Sequence, residues 1–173
     1  PGAAPDLVDV LEGAPGAHVR RTGGTGRAAW LQVRGASAHQ VAVFLDDLPL
    51  GGGRGSAVDL ASVPAALIER ADLLRGAAGA AYGSGAQGGV LRLVTRPPRL
   101  GRLTEVRLRA GTVGSARLDG AVGYGDGSAG LLAVGQVSAA EGDFPYLDVN
   151  GNRRARQNNH AVRGGGLVKG HWD

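Results

Sequence analysis

In residues 103–110, apolar and charged side chains alternate without a break. Thr104, Val106, Leu108 and Ala110 fall on one parity, and Glu105, Arg107 and Arg109 on the other. That is the period of a β-strand. Residues 117–124 repeat it, with Leu118, Gly120, Val122 and Tyr124 opposed by Arg117 and Asp119. A third strand is predicted over 131–140, where the alternation is weaker. A fourth is predicted over 159–172, with Val162, Val168 and Trp172 against Arg163, Lys169 and His171. Gly125-Asp126-Gly127 predicts a tight turn, and the polar stretch 141–158 a long loop. Segments of about ten residues, joined alternately by short turns and long loops, make the transmembrane β-barrel pattern. The same alternation also fits an antiparallel sheet with one face in water. If the first strand runs outward, Tyr124 and Trp172 both end on the inner, turn side, where an interfacial aromatic girdle belongs.

The pattern before the double proline Pro97-Pro98 is different. A short helix is predicted over 6–13, capped by Asp6, with Leu7, Val8, Val10 and Leu11 on its apolar side and Gly13 and Pro15 ending it. Short strands are predicted at 17–20, 30–35, 41–45 and 48–50, with loops at 22–26 and 51–56. Asp46-Asp47 forms the turn after the third of these, and Asp47 holds the place where a hairpin favours glycine. Asp59 caps a turn that runs to Val63, and Pro64 opens another that runs to Leu67. Residues 68–95 organise the whole segment. An apolar run ends at Arg75-Gly76, small residues surround Tyr82, and a second strand from Val90 stops at Arg96. The connection is long for a hairpin, so it must be packed or functional.

Composition narrows the function classes. The 173 residues suffice for one or two small domains. The 32 glycines have no collagen period and are interleaved with valine and leucine, which suits tight turns and close backbone approach. The net charge is +4, and every basic residue except Lys169 is arginine. The arginines are dispersed, so the chain is no nucleic-acid tail. There is no cysteine, so neither a disulfide framework nor a thiolate metal site can form. No apolar run reaches the roughly 18 residues of a membrane-spanning helix. Pro1-Gly2-Ala3-Ala4-Pro5 reads as the end of a linker in a longer protein, and no signal peptide opens the chain.

Candidate chemistry is sparse. Gly83-Ser84-Gly85-Ala86-Gln87-Gly88 matches a dinucleotide fingerprint, which needs a helix to follow; β-type residues follow instead. His18, His39, His160 and His171 lack metal-ligand spacing, and no nucleophile elbow occurs. Asp143, Asp148, Asn150 and Asn152 bring oxygen atoms to one loop without the order of an EF-hand, so solvated loop polarity is preferred to calcium binding. No catalytic constellation and no cofactor site is found. Arg34-Gly35 and Arg75-Gly76 each end a strand with a cation, which points to docking against carboxylates. Arg54, in a glycine loop, is either a solvated side chain or a ligand contact.

One family unites these pieces. Leu11-Glu12-Gly13-Ala14-Pro15-Gly16, Val33-Arg34-Gly35, Val43 through Leu50, Val58 through Pro64, Ile68-Glu69-Arg70, Leu74-Arg75-Gly76, Tyr82 through Ala86, Gly88-Gly89-Val90 and Val94-Thr95-Arg96 occur in an order and spacing that resembles the plug domain of TonB-dependent outer-membrane receptors. Within that family, the spacing through Thr22–Gly26, Arg34-Gly35 and Gly55-Ser56 is most similar to the cobalamin receptor branch. Departures are Asp47 for the usual glycine, Ala77 for the proline expected after Arg75-Gly76, and alanines where that branch prefers polar residues. The resemblance implies an α+β plug domain over 1–98, a small mixed sheet with short helices. The first four antiparallel strands of an incomplete transmembrane β-barrel follow over 99–173. Complete barrels of this kind have about 22 strands and a plugged lumen.

The resemblance also implies active uptake across the outer membrane of a Gram-negative bacterium. A small molecule such as cobalamin or a ferric siderophore would bind at the apical loops. The matching positions are Arg27, Ala28 and Ala29, and Gly51, Gly52, Gly53 and Arg54. Arg34 and Arg75 would dock the plug on carboxylates of the barrel wall. Energy would come from a TonB-type protein through a segment before Pro1, with lipid around the barrel and the plug facing the periplasm. The alternative is a soluble or secreted β-rich binding module without transport. An isolated piece with four strands and open edges is expected to aggregate or to order only in part.

Overall fold

A computed structural model describes residues 7–22, 27–51, 56–76, 82–98, 100–111, 114–141, 144–156 and 160–172. The chain divides into two compact units, Pro1–Thr22 with Ala28–Pro97, and Gly23–Arg27 with Pro98–Asp173.

The first unit opens with helix α1 (Leu7–Glu12), which buries Leu7, Val8 and Leu11 and leaves Val10 exposed. Its expected cap, Asp6, lies outside the described residues. Strand β1 (Ala17–Arg21) pairs antiparallel with β2 (Ala29–Val33), and Ala29, Leu31 and Val33 alternate inward. Arg21 ties this hairpin to α1, donating to Asp9 at 2.6 Å and Glu12 at 3.1 Å. The hydrogen bond to Glu12, with that to Asp9 behind it, raises the arginine's pKa.

The main sheet has the order β4-β3-β6-β5, made of β3 (Val41–Leu45), β4 (Leu48–Leu50), β5 (Ile68–Leu74) and β6 (Gly89–Thr95). Strands β3 and β6 run parallel, and the other pairs are antiparallel, so the sheet is mixed. Central β6 buries Val90, Leu91 and Leu93, as a strand covered on both faces requires. Short 3-10 turns at Leu60–Ser62 and Ala65–Leu67 follow Asp59 and Pro64, and Asp59 accepts from the Ala61 N–H at 3.0 Å.

The β3–β4 turn explains the two aspartates. Both are left-handed, with φ 46° at Asp46 and 68° at Asp47, the geometry of a two-residue hairpin turn. The Asp46 carboxylate accepts from the Thr95 N–H at 2.8 Å and from the Thr95 hydroxyl. Asp47 accepts from Arg92 at 2.7 Å. Glycine would fit the turn but could not clamp the end of β6.

Strands β5 and β6 are antiparallel, with Leu74 opposite Val90. Between them, Tyr82 meets Phe44 edge-on at 5.1 Å, and a 3-10 turn spans Ser84–Ala86. A Cβ on Gly88 would lie 2.5 Å from the Ala36 Cβ, and its N–H donates to the Gln40 carbonyl at 2.8 Å. The glycines therefore serve close backbone approach, and a strand, not a helix, follows the fingerprint.

In the second unit, β7 (Gly101–Gly111), β8 (Ser115–Gly125), β9 (Ala129–Ala140) and β12 (Ala161–Trp172) form one antiparallel sheet of order β12-β9-β8-β7. At 11 or 12 residues they have the length that a tilted strand needs to cross a bilayer, about 9–11 residues. The expected long loop 141–158 is corrected in part. It contains a hairpin of β10 (Phe144–Leu147) and β11 (Arg153–Arg156). Asp148 shapes its turn, accepting from the Asn150 and Asn152 N–H groups, each at 2.9 Å, and from Arg154 Nε at 3.1 Å. Pro145 inside β10 and three arginines in β11 hid this hairpin, because a proline within a run argues against a strand and neither segment alternates apolar with polar residues.

Candidate functional site

Three groups of residues bear on function. The first lies where β2 begins. The Thr22 N–H and hydroxyl both donate to the Ala28 carbonyl at 3.1 Å, closing the loop that precedes β2. Asp59 accepts from the Ala29 N–H at 2.9 Å as well as from Ala61, so one carboxylate joins the start of β2 to the segment that follows the glycine loop. Gly51 is exposed, with φ +112°, and a Cβ there would lie 3.3 Å from Val58 Cγ2. Ala28 and Gly51 thus flank two segments that Asp59 holds together. Arg27, just before Ala28, is half-buried. Ala29 departs from the ligand-facing expectation: it is 2% exposed and packs in the core. Gly52, Gly53 and Arg54 lie outside the described residues. Asp59 as the joint was not legible, because its sequence context marks only a cap.

The second group is the arginine pair. Arg34 and Gly35 form a tight left-handed turn, with φ 49° and 81°, closed by the Ala36 N–H donating to the Val33 carbonyl at 2.9 Å. The Arg34 N–H donates to the Gly16 carbonyl at 3.0 Å. A Cβ on Gly16 would sit 3.6 Å from Arg34 Cγ and 3.8 Å from a guanidinium nitrogen of Arg75. Two cations from distant strands therefore converge on one glycine. Among the described residues, neither guanidinium has a hydrogen bond or ion pair.

The third group is the four-stranded sheet, whose two faces are inverted relative to a sheet in water. Val106 is 72% exposed, Leu108 76% and Trp172 84%, and Leu118, Val122, Tyr124, Leu131, Val137, Val162 and Val168 share that exposed parity. The other parity carries the charged side chains except Arg102 at the start of β7, and on it Asp119 is only 2% exposed. Arg109 approaches the Asp119 carboxylate at 3.3 Å, and Arg107 donates to Glu105 at 2.8 Å. The inward parity also buries Ala121, Leu132 and Val134, but large apolar side chains exposed on the face opposite the ionic ones is the arrangement that a hydrocarbon solvent selects.

No group of three or more metal-ligating side chains occurs among the described residues. Asp143 lies outside them, and Asp148 already accepts the donors of its own turn. Those hydrogen bonds, that of the Asn152 N–H foremost, hold its carboxyl below the ordinary range.

The model of the TonB-dependent receptor plug domain matches residues 2–90. The vitamin B12 transporter BtuB of Vibrio cholerae is 30% identical over 165 residues, 93% of this chain and 27% of that protein. Its counterpart from Photobacterium profundum is 34% identical over 127 residues, 73% of this chain and 21% of that protein. Among solved structures, the copper transporter OprC superposes with a TM-score of 0.75 at 22% identity, covering 98% of this chain and 26% of its own. The siderophore receptor PirA from Acinetobacter baumannii gives 0.62 at 24% identity, covering 79% and 22%. These structural likenesses show the fold alone, and the chain spans about a quarter of the length of the curated relatives it matches. With its plug sheet followed by antiparallel strands like those that open a receptor barrel, the chain belongs to the TonB-dependent receptor family, near the cobalamin branch.

Proposed function

We propose that this chain is the plug, residues 1–98, and the opening barrel strands, residues 99–173, of an outer-membrane receptor that imports a small ligand, cobalamin or a ferric siderophore. The inverted sheet carries this reading, because apolar side chains 72–84% exposed are costly in water and suited to lipid. It also disfavours a secreted module without transport. The segments joined by Asp59, with Arg27, Ala28, Gly51 and the neighbouring Gly52, Gly53 and Arg54, meet the ligand, while Ala29 only positions them. Arg34 and Arg75, two cations side by side, dock the plug on carboxylates of the completed barrel wall. Each charged hydrogen bond there contributes about 1.5–3 kcal/mol. A TonB-type partner supplies energy through a segment before Pro1.

The reading is tested with the full-length protein in a strain that lacks its own receptors. Labelled cyanocobalamin or a labelled ferric siderophore enters only when the energy-transducing partner is present. Recovery of the protein outside the outer-membrane fraction rejects the proposal.

A further inference from the structure

A cation stands on the apolar side of the second unit's sheet. Register sets Arg102, Tyr124, Leu131 and Gly170 in one row across β7, β8, β9 and β12, on the parity of Val106, Leu118 and Trp172. Arg102 is exposed, and among the described residues its guanidinium has no hydrogen bond or ion pair. Tyr124, directly opposite, is 55% exposed. This row lies at the end of the sheet where the short turn at 126–128 joins β8 to β9, and the connection that holds the β10–β11 hairpin leaves from the other end. Short turns mark the periplasmic side of a barrel, so Arg102 and Tyr124 stand at the level of the inner-leaflet headgroups.

Four residues further along each strand, the same parity loses its side chains on three strands. Gly120, Gly135 and Gly166 lie side by side and floor a groove of about 640 Å³. Leu118 and Val137 wall it on one side, and Val122 and Val168 on the side toward Arg102. At about 3.4 Å per residue and a tilt of about 45°, the groove lies about 10 Å deeper than Arg102, within the roughly 15 Å of one leaflet's hydrocarbon. A guanidinium fork matches paired phosphate oxygens, and a phenol donates one hydrogen bond more. We propose that this surface seats a glycerophospholipid of the inner leaflet, with its phosphodiester on Arg102 and Tyr124 and one acyl chain in the groove. A second copy of the chain fits less well, because it would bury the Arg102 guanidinium against a parity that carries no carboxylate among the described strands. The inference rests on the outer-membrane reading and adds a lipid ligand to it.

The test uses the full-length receptor, extracted in detergent and stripped of lipid, with binding read by native mass spectrometry. The probes are phosphatidylglycerol, diacylglycerol, which lacks the phosphate, and lipid A. Phosphatidylglycerol should bind about tenfold more tightly than diacylglycerol. Arg102→Gln should raise its Kd about tenfold, while Arg102→Lys keeps part of the affinity. Gly135→Leu should raise it as well by filling the groove, since a Cβ at Gly135 meets nothing within 4 Å. The three probes on the unaltered receptor give the answer even if a variant misfolds. Equal binding of phosphatidylglycerol and diacylglycerol, tighter binding of lipid A, a dimer that excludes the lipid, or a Kd indifferent to the substitutions overturns the inference. An outer-membrane receptor without this preference sinks only the lipid seat; a protein absent from the outer membrane sinks the import reading.

Discussion

Asp46 sits in a left-handed turn that glycine would adopt more easily, and its carboxylate holds both polar groups of Thr95. Asp46→Gly keeps the turn and removes the clamp. It should cost about 1.5–3 kcal/mol, read as a lower urea midpoint of the first unfolding transition of the full-length receptor. Gly88 is limited by space, since its Cβ would strike Ala36 and crowd the Gln40 carbonyl at 3.1 Å. Gly88→Ala should therefore cost about 1–3 kcal/mol in the same melt. Gly135→Ala, whose Cβ meets nothing within 4 Å, should leave the midpoint unchanged.

Among the elements, the β8–β9 turn is pinned by Asp126, which accepts from the Ala129 N–H at 2.9 Å and the Ser128 N–H at 3.0 Å. These hydrogen bonds, that of Ala129 foremost, lower the aspartate's pKa from its usual 3.8. A lowered pKa means that the contribution is fully present above about pH 4 and is lost as the pH falls through the folded value. Amide exchange at Ser128 and Ala129 should stay slow from neutral pH down to that point and quicken below it. The strands make a separate prediction. Val122→Arg places a charge on the exposed apolar parity and should cost about 2–4 kcal/mol near the bilayer midplane, seen as less folded receptor in outer-membrane fractions.

At the scale of the molecule, β7 and β12 end the described sheet, and each needs a further strand to satisfy its outer backbone groups. The 173-residue piece in plain buffer should therefore associate, by light scattering, and detergent should reduce that association. A sharp two-state melt in buffer would contradict this. The apolar face exposed in the second unit and its open edges are the two sources of that association.

Alternation determined the long strands and, in β7, β8 and β12, which side bears the charge, because a period of two leaves one choice of face; β9 carries no charge and was marked more weakly. Caps and turn residues marked most of the short elements before residue 98, since Asp59, Pro64 and the aspartate pair act through bonds to near neighbours. The β10–β11 hairpin escaped, because Pro145 interrupts one strand and the other is nearly all arginine, so neither shows the alternation of a strand. Only the tertiary structure brought Arg34 beside Arg75, made Asp59 the joint between two loops and withdrew Ala29 into the core, because those relations join segments far apart in sequence. Which parity is exposed was likewise decided by the tertiary structure: period two gives the faces, and only burial tells which of them is covered.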